Sequence, residues 1–144
     1  MNEQPIIIQQ SKEPEKRFTH EQLLSALFFI WDAFDRGPVE FFLIRDTAKQ
    51  AKEGKDLSGS GVDVGVRALE WVSGGKRVMD NFTGQYLVKE NEMGAEYIWA
   101  DVPVRVHVFS DNECLSSFDT IFYQNETFLL PNPYEKFAEK YENG

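Results

Sequence analysis

The chain has 144 residues, enough for one domain with its own core and too few for two ordinary ones. Apolar residues make up 42% and aromatics 14%, with 12 Phe, which excludes a disordered chain. The formal net charge of -9 repels phosphate backbones and argues against nonspecific nucleic-acid binding, and the single cysteine, Cys114, excludes an internal disulfide.

Residues 1–17 read as a flexible polar tail, with Ile6-Ile7-Ile8 as a lone edge strand at most. Residues 18–144 read as a single domain. No signal-like segment and no apolar run of membrane-spanning length are present, so a cytoplasmic location is expected.

Thr19 and Gln22 form a capping box ahead of a helix over 23–34. Leu23, Leu27, Ile30 and Phe34 recur at helical spacing, with Leu24, Phe28 and Trp31 as a second stripe, and Gly37-Pro38 ends the element. The apolar run 39–44 predicts a central strand, and 46–53 a short helix stopped by Gly54. A Gly/Ser loop follows over 56–61. Val62, Val64 and Val66 then alternate with Asp63, Gly65 and Arg67, the period-2 signature of a strand. Residues 68–82 read as a helix weakened at Gly74-Gly75, 85–90 as a strand, and 91–94 as a turn. In the final predicted strand, Val102, Val104, Val106 and Val108 share one face. Asp101, Pro103, Arg105, His107 and Phe109 share the other. A short helix over 134–141 closes the chain. The fold class expected is α/β (α+β), a small mixed sheet flanked by helices.

The chemistry concentrates on the two valine-backed strands. If they are neighbours, their polar faces gather Asp63, Arg67, Arg105 and His107 in one cleft, with Asp101 at its edge. A carboxylate, an imidazole and two guanidiniums suit a phosphorylated ligand, with or without a metal. The competing reading is the solvated face of an antiparallel sheet carrying cross-strand charge pairs. His20 is expected to be solvated, and Lys49, Lys52 and Lys55 to form an exposed helix face. Ser58-Gly59-Ser60-Gly61 reads as a flexible turn, and Trp71 and Trp99 as core or rim aromatics.

Over about residues 20–144 the order of segments resembles the LicD (fukutin-related) family. Phe41-Phe42-Leu43-Ile44 resembles its apolar strand. Arg45-Asp46-Thr47-Ala48-Lys49-Gln50-Ala51-Lys52-Glu53 falls at its GGTLLGAVR-like segment, and Gly59-Ser60-Gly61-Val62-Asp63-Val64 at its DDDIDI-like segment. His107-Val108-Phe109 falls at its DIF-like strand. Leu130-Pro131-Asn132-Pro133-Tyr134-Glu135-Lys136-Phe137-Ala138-Glu139-Lys140-Tyr141 matches its tail best.

The resemblance implies a nucleotidyltransferase fold and the transfer of a nucleotidyl or phospho-alcohol group. That chemistry uses one or two divalent ions to neutralise phosphates and align the attacking group. On this reading Asp63 and His107 are the catalytic residues and the metal ligands, and Mg²⁺ or Mn²⁺ is the cofactor. Arg45, Asp46, Thr47, Arg67 and Arg105 bind a nucleotide or other phosphorylated small molecule. The chain departs from the pattern at three places. Gly61 replaces the first carboxylate of the D-x-D pair, His107 replaces the third carboxylate, and Arg45-Asp46 replace the two glycines before Thr47. One carboxylate and one imidazole hold Mg²⁺ weakly, since that ion prefers oxygen. Two functions therefore stand side by side: a transferase, and a non-catalytic acidic descendant that binds or inhibits a basic protein partner. A chance likeness carried by an unrelated α+β binding module is a third.

Overall fold

The computed structural model describes residues 16–36, 39–81, 85–110 and 117–142. The tail expected over 1–17, and Cys114, lie wholly or mostly outside the described residues. Helix α1 spans His20–Arg36 and starts at the predicted box. The Gln22 N–H donates to Thr19 Oγ1 (3.2 Å) and the Thr19 N–H to Gln22 Oε1 (2.9 Å), which satisfies donors that the first helical turn leaves open. Leu23, Leu27, Ile30 and Phe34 are buried, as their spacing requires.

After α1 come β1 (Phe41–Leu43), α2 (Arg45–Lys52) and β2 (Val62–Arg67). A helical segment follows, made of α3 (Ala68–Glu70), a π-helical turn (Trp71–Gly75) and α4 (Lys76–Asn81). Gly75 explains the irregular turn: a Cβ there would stand 3.0 Å from the Trp71 ring and 3.3 Å from the Glu70 carbonyl. The chain continues through β3 (Gln85–Asn91), β4 (Gly94–Trp99), β5 (Val102–Phe109), β6 (Phe118–Tyr123), β7 (Glu126–Pro131) and α5 (Tyr134–Tyr141).

The main sheet has the order β1-β2-β5-β4-β3. All its pairings are antiparallel except β2 with β5, which run parallel. The sheet is thus mixed, and the two valine strands are direct neighbours at its centre. Val62, Val64, Val66, Val102, Val104 and Val106 are buried, and α1 packs on β2 and β5. The opposite face carries an aromatic cluster. The Phe42 ring lies 5.7 Å from Phe109, 5.1 Å from Phe118 and 6.1 Å from Phe137. Gly65 leaves the space for it, because a Cβ there would meet the Phe42 ring at 2.3 Å.

Three expectations change. The strand ending at Phe109 is not the last, since β6 and β7 form a separate hairpin behind it. Its turn, Gln124-Asn125, takes φ of 51° and 71°, the twist a two-residue hairpin needs, without the usual glycine. His20 is largely buried rather than solvated: its Nδ1 accepts the Leu57 N–H at 2.9 Å and ties α1 to the loop before β2. The Gly/Ser loop is anchored as well. The Ser58 N–H donates to Gln50 Oε1, and Ser60 Oγ accepts from Arg105. Among the described residues no helix is long and apolar enough to cross a membrane.

Candidate functional site

The parallel register sets Asp63 beside Arg105 and Gly65 beside His107. In a parallel pair, side chains at matched positions share a face, so three polar groups converge. Arg105 Nε donates to Asp63 Oδ1 at 3.0 Å, and His107 Nε2 lies 2.9 Å from the same oxygen. An ionised carboxylate only accepts, so His107 carries its proton on Nε2. The Asp63 side chain is 11% exposed, against 28% for Arg105 and 26% for His107. Burial by itself would raise the Asp63 pKa. The His107 hydrogen bond and the Arg105 charge outweigh burial together, and the carboxyl is held below its ordinary value.

Helix α2 forms the opposite wall. Thr47 is buried, and its Oγ1 accepts the Asp63 N–H at 3.1 Å, which fixes α2 against β2. No side chain of Ile44 caps this helix. The cap comes instead from the far end of the chain. Glu142 Oε2 accepts the Arg45 N–H at 2.6 Å, and Glu142 Oε1 accepts the Tyr134 hydroxyl at 2.8 Å. A carboxylate at a helix N-terminus meets open N–H groups and the positive end of the dipole. Tyr134 is buried, and burial together with Glu142 pushes its phenol pKa well up.

These residues enclose a polar hollow of about 370 Å³ lined by Arg45, Asp46, Lys49, Asp63, Arg105, His107 and Glu142. It adjoins a second hollow of about 250 Å³ whose walls include Met93, Phe109, Phe137 and Tyr141. The two share Arg45, His107 and Glu142. With His107 neutral, the three cations of the polar hollow balance its three carboxylates.

Not every expected residue gathers here. Arg67 follows Asp63 at even spacing but does not line the hollow. Its Nη1 donates to Glu40 Oε1 at 2.8 Å, and its guanidinium lies 4.7 Å over the Phe118 ring. Its neighbours come from the residue just before β1 and from β6, which strand periodicity does not reveal. Asp101 sits in the β4–β5 turn at φ 69° and is not among the lining residues. Of the three lysines, Lys49 lines the hollow, whereas Lys52 pairs with Glu135 and Lys55 with Glu53. Trp99 stacks on Phe29 and Trp71 is buried. Sequence reasoning missed Glu142, whose role depends on where α5 docks.

The residues present do not fit a divalent ion. Among the described residues no group of three or more His, Cys, Asp or Glu side chains is placed to hold a metal. Asp63 Oδ1 already takes two N–H donors, and the His107 nitrogen facing it is protonated. The expected ligand pair Asp63 and His107 is thus a hydrogen-bonded pair. At Gly61 even a Cβ would stand 2.5 Å from the Pro103 carbonyl and 2.9 Å from Arg105 Nη2. A divalent ion on Asp63 would also face the Arg105 charge at close range, a repulsion on the order of several kcal/mol.

No protein-family model and no curated protein matches the chain. Solved structures do. The chain superposes on ANT(2'')-Ia in complex with adenylyl-2''-tobramycin with a TM-score of 0.59, covering 83% of this chain and 78% of that chain at 11% identity. It superposes equally well (0.59) on a Thermotoga maritima protein provisionally assigned as a nucleotidyltransferase, covering 89% of each chain at 13% identity. The fold is therefore that of nucleotidyltransferases. At these identities the likeness is one of fold, and the residues lining the hollow are this chain's own.

Proposed function

We propose that the chain binds a nucleotide or another phosphorylated small molecule in the hollow between α2, β2 and β5, on a nucleotidyltransferase fold of LicD type. The observation that carries this reading is the convergence of Arg45 and Lys49 of α2 and Arg105 of β5 on one hollow, next to an aromatic one. Phosphate oxygens suit the cations. A base or other flat group suits the rings of Phe109, Phe137 and Tyr141. Glu142 supports the same reading, because an oxygen anion already sits on the Arg45 N–H. An incoming phosphate competes with it. Within this proposal, Asp63 positions His107 through Nε2 and leaves Nδ1 as the ring's acceptor. His107 is then the group able to take a proton from a ligand hydroxyl.

Calorimetric titration of the full chain with ATP, CTP and a CDP-alcohol tests the reading. At least one should bind. Lys49→Ala removes an exposed cation from the rim and should weaken binding about fivefold to tenfold without changing the thermal midpoint. Absence of heat with every nucleotide would sink the proposal.

A further inference from the structure

We infer that the Arg105 guanidinium supplies the fixed positive charge of this hollow in place of a divalent ion, so that ligand binding here requires no metal. The inference rests on the proposed nucleotide reading and adds how the anion is held.

Three observations carry it. First, Arg105 is built in rather than swinging in solvent. Nε is bonded to Asp63 Oδ1 at 3.0 Å, Nη2 to Ser60 Oγ at 3.3 Å, and the guanidinium lies against Gly61. Second, position 61 has no room for the carboxylate a metal site would need. A Cβ on Gly61 would stand 2.5 Å from the Pro103 carbonyl oxygen, a backbone atom, and 2.9 Å from Arg105 Nη2, so the guanidinium and not a carboxylate fills this side of the hollow. Third, the cation keeps capacity for a ligand. A guanidinium has five N–H donors in a planar fork, and Asp63 and Ser60 use two. The arginine also lines the polar hollow opposite Arg45 and Lys49. Asp63 then acts as a positioning residue that holds the guanidinium, and its own charge is spent on that task.

The test compares nucleoside-triphosphate binding to the full chain in EDTA with binding in excess Mg²⁺ or Mn²⁺. Affinity in EDTA should equal or exceed that with metal, to within about threefold. Mn²⁺ alone should show no stoichiometric binding by its paramagnetic resonance signal, in wild type or in Asp63→Asn. Arg105→Gln keeps a donor for Asp63 but removes the charge, and should cost at least about tenfold in affinity in EDTA. Binding that appears only with metal would overturn the inference and leave the nucleotide reading standing. Wild-type affinity in Arg105→Gln would overturn it as well. No binding under either condition would remove both. Should Arg105→Gln fail to fold, the metal comparison on the wild-type chain decides alone.

Discussion

Arg45 holds a left-handed backbone at φ 55°, where an L residue with a Cβ is strained by about 1–2 kcal/mol. Glycine adopts this conformation freely, whereas the arginine adds an exposed cation to the hollow. Two roles are thereby separable by one substitution. Arg45→Gly relieves the strain but loosens the unfolded chain by about 0.5–1 kcal/mol, so the net effect on stability is near zero or slightly favourable. Nucleotide affinity should nevertheless fall, by about fivefold, with the loss of one rim cation. A thermal melt and a titration on the same sample check both halves. A falling melting temperature would mean that the guanidinium, not the backbone, is what holds this corner. Gly65 shows the opposite economy: its backbone is ordinary, and its missing side chain is what lets Phe42 lie on the sheet.

Helix α2 is short, and its placement depends on its neighbours. Thr47 fastens it to β2, while Lys52 reaches Glu135 and the Arg45 N–H reaches Glu142, both from α5 or just after it. The exposed Lys52 pair contributes little. The Glu142 cap matters more, because an N-terminal cap is worth about 1 kcal/mol. It also occupies ground that an anionic ligand would use. Glu142→Gln keeps an acceptor for the Arg45 N–H but removes the charge, so it should lower stability by about 0.3–1 kcal/mol and at the same time tighten nucleotide binding severalfold. Chemical denaturation and calorimetry would measure the two effects. A loss of both stability and affinity would show that the carboxylate shapes the hollow rather than blocking it.

Across the whole molecule, what the sequence made legible is what repeats locally. The capping box, the apolar stripe of α1 and the two valine faces are patterns within single elements: the box caps α1 as expected, and the stripe and most of the valines lie in the observed core. Asp63, Arg105 and His107 could be paired in advance because both strands advertise their polar face. Their parallel register could not, since no periodicity says which strands adjoin. The hairpin β6–β7 went unseen because Gln124-Asn125 turns the chain without glycine. Arg67 and Glu142 were misjudged or missed because their neighbours come from elements far along the chain. The parallel contact between β2 and β5 has a kinetic corollary. Its two strands are separated by α3, α4 and the β3–β4 hairpin, so closing it costs more chain entropy than any hairpin and rewards the chain late. Refolding followed by circular dichroism should regain strand signal before the capacity to bind nucleotide returns. Simultaneous recovery would place the central pair in the earliest nucleus instead.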